Sequence, residues 1–146
     1  MKKIALLALL TVFITGCSVP EVPGPDQSQN PSQSNDKAPI MAPAFALKDM
    51  DGKTWSLEGL AGKVVVLYFW TAICPNCLEK LPELAELQQD LPEDVNLLLI
   101  NGGDSKKSIE NAMADYPGLT VLIDAIDANG HNTFGFYAVR YVPTVA

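Results

Sequence analysis

Basic residues and soft metal ligands are both scarce in this chain of 146 residues. Ten lysines and arginines stand against 17 aspartates and glutamates, a formal net charge of −7. Nucleic-acid phosphates need clustered Lys and Arg, so a nucleic-acid partner is excluded. One histidine, His131, and three cysteines, Cys17, Cys74 and Cys77, make a poor donor set for zinc. Such a site wants four Cys, His or carboxylate ligands at tight spacing, and no second Cys-x-x-Cys exists. No metal is expected. The apolar run Ile4–Ile14, broken only by Thr11, is too short for a comfortable membrane span. There are no internal repeats. The length fits one domain of ordinary size, and with 48% apolar residues the composition can fill a core.

What is present at the N-terminus reads as an address. Met1-Lys2-Lys3 is a short positive region and Ile4–Ile14 fits a signal-peptide core, so residues 1–16 are expected to be a signal peptide. Ile14-Thr15-Gly16-Cys17 resembles the lipobox of bacterial lipoproteins. The resemblance implies that Cys17 is lipidated, becomes the new N-terminus and forms no disulfide. Several acyl chains on one residue anchor stably where a single chain does not. Without Met1–Gly16 the chain keeps 8 basic and 17 acidic residues, a net −9, and has no basic patch for anionic lipid. Ser18–Lys37 is dominated by Pro, Ser, Gln and Asn, with two valines as its only apolar residues. It buries too little surface to offset chain entropy, so residues 17–37 are expected to be the lipidated cysteine and a disordered tether. A flexible coil of about 20 residues reaches roughly 25 Å. The globular domain is expected over residues 38–146, outside the cytoplasm, where thiols are normally oxidised.

Within that domain, Ala44–Leu47 and Lys53–Trp55 flank Asp51-Gly52, a turn signal that predicts a β-hairpin. Ser56–Ala61 reads as a short helical turn capped by Ser56. The continuous apolar run Val64–Trp70 predicts a central strand of a parallel sheet, buried on both faces. Leu81, Leu84, Leu87 and Leu91 recur at helical spacing, with Pro75 in the first turn and Pro82 expected to kink the helix. Val95–Ile100 is a second strand. Gly102–Ser105 is a turn and cap, and Ile109, Ala112, Met113 and Tyr116 mark an amphipathic helix. Leu119–Ile123 is a third strand, Asp127–His131 a loop, and Thr133–Val139 a short helix. The β–α–β–α–β order predicts an α/β fold with right-handed crossovers.

The pair Cys74-Pro75-Asn76-Cys77 lies where such a strand meets such a helix. A purely structural disulfide there closes a very small loop and constrains the unfolded chain little. A redox role uses every flanking feature. The strand delivers Cys74 to the carboxyl end of a parallel sheet, where α/β proteins place their sites. The helix N-terminus favours a thiolate at Cys74, making it the nucleophile. Cys77, one turn on, would be the resolving thiol. Use of both thiols as soft ligands by a non-catalytic metal or haem handler is a different reading.

The flanking stretches resemble the thioredoxin superfamily, in particular its TlpA/ResA-like membrane-tethered thiol-disulfide oxidoreductases. The likeness rests on Ala42–Leu47, Gly52–Leu57, Gly62–Leu67, Phe69-Trp70, Cys74–Cys77 and Tyr141-Val142-Pro143-Thr144. It implies a thioredoxin-like α/β fold with an N-terminal β-hairpin extension. It implies a cis Pro143 beside the pair, and a Val142 backbone that takes a partner segment as an added strand. Trp70 and Pro75 join Val142 and Pro143 as the expected substrate-binding residues. The implied partners are a disulfide-bearing extracytoplasmic protein, for instance in cytochrome c maturation, and a membrane thiol carrier as electron donor. No cofactor is expected besides the Cys74–Cys77 disulfide.

Three positions depart from the family pattern. Ile73 stands where Trp is frequent, Tyr68 where thioredoxin has a buried Asp, and Lys80 where many ResA-like members carry Glu. No proton acceptor for Cys77 is therefore evident; Glu79 would serve only if turned toward the pair. Thr71-Ala72-Ile73-Cys74-Pro75 also resembles the peroxiredoxin Thr-x-x-Cys-Pro pattern, although its upstream proline is here Leu67. Peroxide reduction at Cys74 is thus an alternative. In the resembled fold two strands and a helix follow the cis-proline. With the sequence ending at Ala146, the final strands and helix are expected to be lacking. Val64–Trp70 would then be an edge strand, and the chain is expected to be marginally stable and inactive alone.

Overall fold

Period-2 alternation organises the sheet on which everything else is built. In the computed structural model, which describes residues 41–146, Val64–Trp70 forms β3 and Val95–Asn101 forms β4. Both turn fully buried toward their carboxyl ends. Tyr68, Trp70, Leu97 and Leu99 face one layer, while Leu67, Phe69, Leu98 and Ile100 face the other. That two-sided burial is why the sequence shows unbroken apolar runs here.

Two short strands, β1 (Ala46–Asp49) and β2 (Thr54–Ser56), form the expected hairpin. Its turn is closed by the Asp49 carboxylate, which accepts the N–H groups of Asp51 and Lys53 at 3.0 and 2.9 Å. Gly52 supplies the left-handed residue, φ +87°. The other oxygen of Asp49 accepts Trp55 Nε1–H at 2.9 Å. The third parallel strand is β5 (Thr120–Ile123), and a two-residue strand, β6 (Thr144–Val145), completes a sheet of order β2-β1-β5-β4-β3-β6. β3, β4 and β5 run parallel, β1 and β6 are antiparallel to them, and β2 pairs antiparallel with β1 at the sheet edge.

The edge expected at β3 is corrected by β6. Thr144 and Val145 pair with Phe69 and Tyr68, and Leu67 exchanges two backbone hydrogen bonds with Ala146 at 2.9 and 3.0 Å. The first strand after Pro143 is therefore present. Val64, at the other end of β3, is 55% exposed.

On one face lie α1 (Pro75–Glu79), α2 (Leu81–Asp90) and α3 (Lys106–Met113). They bring Cys77, Leu81 and Ile109 onto Tyr68, Trp70 and Leu99. The kink expected at Pro82 is a full break at Lys80, because proline has no N–H to continue the ladder. Within α2, Leu81 is buried and Leu84 packs inward, but Leu87, six residues after Leu81 and so about 120° round the helix from it, is 47% exposed. Ser105 caps α3, its Oγ accepting Ser108 N–H at 3.2 Å.

The opposite face is covered by a 3₁₀ turn at Glu58–Leu60 and by α4 (Thr133–Phe136). Ser56 Oγ accepts Gly59 N–H at 3.1 Å, in keeping with its reading as a cap. Phe134 meets Phe69 edge to face and Tyr137 packs on it at a tilt, with ring centroids 5.0 and 5.5 Å away. The helix expected over Thr133–Val139 stops early because Ala138 turns left-handed, φ +52°. Ala138 N–H then bonds to Gly135 O and Val139 N–H to Phe134 O, a Schellman closure. The expected signal peptide, the lipidated Cys17 and the tether lie outside the described residues.

Candidate active site

Cys74 sits just past the end of β3, beyond the loop Thr71–Ile73. Its backbone is extended, and it forms the N-cap of α1 with Pro75 as the first helical residue. Proline is favoured there because that N–H has no helical partner to lose. The Cys74 sulfur accepts Cys77 N–H at 3.2 Å, which places it on the unpaired donors of the helix start. Cys74 and Cys77 are joined as a disulfide, with Cα atoms 5.2 Å apart. Their exposure is unequal: Cys74 is partly exposed and Cys77 is fully buried.

A second segment closes over the pair. The Val142–Pro143 peptide is cis, and Val142 O lies 3.8 Å from Cys74 Sγ. In the reduced protein the Cys74 thiol can donate to that carbonyl. Tyr141 and Ile73 flank the cysteine as exposed apolar side chains, 77% and 84% accessible. Pro75 is exposed, and Val142 and Pro143 are half-buried. Four of the expected site residues, Cys74, Pro75, Val142 and Pro143, thus border one surface. Trp70 does not join them. It is wholly buried among Cys77, Leu81 and Leu99, so it supports the pair from below and offers no face to a partner. Glu79 is exposed on α1, and Lys80 is engaged with Glu83 at 2.8 Å.

Two further residues shape the site. Asp104, in the turn after β4, accepts the backbone N–H of Ala72, two residues before Cys74. The same oxygen accepts Asn101 Nδ2–H at 2.9 Å, and Asn101 Oδ1 accepts Asp104 N–H at 2.9 Å. Asp104, held by Asn101 in this way, fixes the Thr71–Ile73 loop against the end of β4. Gly102 lets the loops meet: a Cβ there would lie 3.0 Å from the Phe134 ring and 3.2 Å from Thr71 Cγ2. Asp104 reads in the sequence as part of a turn and cap, and a contact spanning 32 positions leaves no local signal. The second residue is Tyr68, whose hydroxyl donates to Cys77 O at 3.1 Å. Burial raises its pKa above the ordinary phenol value, with the Glu83 carboxylate adding to it. Among the described residues no group of three or more His, Cys, Asp or Glu is placed to hold a metal ion.

Comparison with known proteins matches this arrangement. The model of the AhpC/TSA family fits residues 40–141. Thioredoxin-like protein YneN of Bacillus subtilis is 31% identical over 105 residues, 69% of this chain and 62% of that protein. Thiol-disulfide oxidoreductase ResA of Halalkalibacterium halodurans is 32% identical over 101 residues, 68% of this chain and 56% of that protein. The match thus spans about three-fifths of the length of these curated relatives. Among solved structures, the exposed lipoprotein thioredoxin Etrx1 of Streptococcus pneumoniae superposes with a TM-score of 0.59 at 32% identity. That superposition covers 71% of this chain and 79% of the other. These likenesses establish a thioredoxin-like fold.

Proposed function

This chain belongs to the AhpC/TSA family of thioredoxin-like proteins, and from that premise we propose that it is an extracytoplasmic thiol-disulfide oxidoreductase that reduces protein disulfides through Cys74 and Cys77. The observation that carries the reading is the unequal pair. The reachable sulfur of Cys74 rests on the helix N-terminus, while Cys77 is sealed beneath it one turn on. A partner disulfide can reach Cys74 and cannot reach Cys77.

The exchange follows from that geometry. The reduced Cys74 thiolate attacks one sulfur of the partner disulfide, and the other partner sulfur leaves as a thiolate. Cys77 then gives up its proton and attacks Cys74 Sγ. The mixed disulfide breaks, the Cys74–Cys77 bond forms, and the second partner sulfur leaves to be protonated. Two electrons pass from the pair to the partner, and the redox group is the pair itself. The half-buried Val142 and Pro143, with exposed Pro75, form the surface against which an extended partner segment would lie.

Direction is supported by the surroundings of Cys74. A strong oxidant needs a strongly stabilised thiolate. Here the Cys77 N–H stabilises the thiolate, while the Val142 carbonyl on the same sulfur favours the neutral thiol and opposes it. That opposition supports a reductant. The lipobox-like Ile14–Cys17 supports attachment by a lipid anchor at Cys17, on the periplasmic face or cell surface, and the likeness to an exposed lipoprotein thioredoxin agrees with it. A membrane thiol carrier would recharge the pair, and the proposed substrates are extracytoplasmic proteins with disulfides, cytochrome c maturation being the favoured setting.

The test is trapping. The Cys77→Ser variant should accumulate a mixed disulfide with its substrate, identifiable by mass spectrometry, and Cys74→Ser should accumulate none. Equal trapping by both variants, or by neither, would refute the assignment.

A further inference from the structure

Tyr68 is a buried polar residue that the exchange steps above leave unused. It is 3% exposed on β3, and its ring packs in the cluster that holds Trp70, Cys77 and Leu81. Its hydroxyl reaches the active-site helix and donates to the Cys77 carbonyl at 3.1 Å.

That carbonyl lies at a weak point in the backbone. α1 stops at Glu79, and Lys80 N–H returns to Cys77 O at 3.2 Å. Pro82 has no N–H to give to the Leu78 carbonyl, so α2 does not extend the ladder of α1. Leu84 N–H bonds back only as far as Lys80 O, at 3.0 Å. A five-residue helix cut off in this way has little rigidity of its own. The Tyr68 hydroxyl ties it to the central strand at the residue that must move least. Its raised pKa keeps it a neutral donor under ordinary conditions.

We propose that Tyr68 is a positioning residue for the resolving step, holding the Cys77 backbone so that its sulfur faces Cys74. The inference rests on the exchange reading above. It concerns the second displacement alone: Cys77 Sγ attacks Cys74 Sγ, the bond from Cys74 to the partner sulfur breaks, and the partner thiolate takes up a proton. The first attack is made by Cys74, the N-cap one turn before, which the tether reaches only indirectly, through the Cys77 N–H on its sulfur, and so depends on it less.

The test uses the full chain with oxidised glutathione as the probe disulfide. Acid quenching and mass spectrometry give the lifetime of the Cys74–glutathione adduct. Tyr68→Phe keeps the ring and removes the hydroxyl. Its adduct should live about fivefold longer, the factor that one net hydrogen bond carries. The effective concentration of Cys77 toward Cys74, read from equilibrium with glutathione, should fall by a similar factor, which a general loss of stability would not cause. In a Cys77→Ser background, Tyr68→Phe should slow the first attack by clearly less than it lengthens the adduct lifetime. An unaltered adduct lifetime, or equal slowing of both steps, would overturn the inference. Should Tyr68→Phe lose its cooperative unfolding transition, Tyr68→Met, which also lacks the hydroxyl, is read in the same way. Failure of the unsubstituted chain to form any adduct would instead sink the exchange reading, and this inference with it.

Discussion

The Asp104 carboxylate accepts the backbone N–H of Ala72, joining the turn after β4 to the loop that presents Cys74. The bond links segments 32 positions apart, and its acceptor is shared with Asn101 Nδ2. Removing it should loosen the reactive loop while leaving the cysteines untouched. Asp104→Ala leaves a partly buried N–H without its acceptor, so unfolding should become easier by about 1–3 kcal/mol. The exchange rate should fall with it. Asp104→Asn keeps one acceptor oxygen and should lie between. Denaturant melts and exchange kinetics on the same samples check both.

The unequal exposure of the pair gives a second expectation. After reduction, a small alkylating agent should modify Cys74 first, since Cys77 is wholly enclosed by Tyr68, Trp70 and Leu81. Cys77 should react only as the structure opens. Timed alkylation with peptide mapping shows the order, and prior or equal labelling of Cys77 would contradict it.

How much of this was legible in the sequence depends on the range of the interaction. Val64–Trp70 announced a buried strand because both its faces are covered, and Asp51-Gly52 announced the hairpin because its turn chemistry is local. Cys74–Cys77 was legible because the strand before it and the proline after it are adjacent in sequence. The break at Lys80 was only half legible. Pro82 signalled a disturbance but not its extent; Leu87 was misplaced for a separate reason, since two steps of three residues from Leu81 drift off the buried face of α2. β6 was missed because two residues carry no period. The Asp104–Ala72 bond and the Tyr68–Cys77 bond were illegible because each depends on strands brought together by folding. Trp70, read as a contact residue, lies on the inner face of β3 once the sheet register is set.

Ala138 offers a test of the fold independent of the chemistry. It closes α4 in a left-handed conformation, φ +52°, that costs an L-residue about 1–2 kcal/mol. Glycine meets no such cost but loses more chain entropy, about 0.5–1 kcal/mol. Ala138→Gly should therefore stabilise the chain by about 0.5–1 kcal/mol, seen as a higher denaturant midpoint with an unchanged slope.

Acid should act on the hairpin through Asp49. Its pKa is lowered from 3.8, first by the Trp55 hydrogen bond and then by the backbone donors of Lys53 and Asp51. A lowered folded-state value means that the stabilisation is present above the unfolded value and is lost as pH falls through the folded one. Asp49→Asn should thus be less stable than the unsubstituted chain at neutral pH. The gap should close in acid, below 3.8. Melts across that range, with Trp55 fluorescence as a local probe, measure it.

The reduction potential of Cys74–Cys77 tests the central claim most directly. The full chain in detergent would be equilibrated in graded redox buffers, alkylated and weighed. A reductant recharged across the membrane should titrate as a single two-electron couple near that of thioredoxin, about −270 mV. A value near that of DsbA, about −120 mV, would make the pair an oxidant and contradict the account.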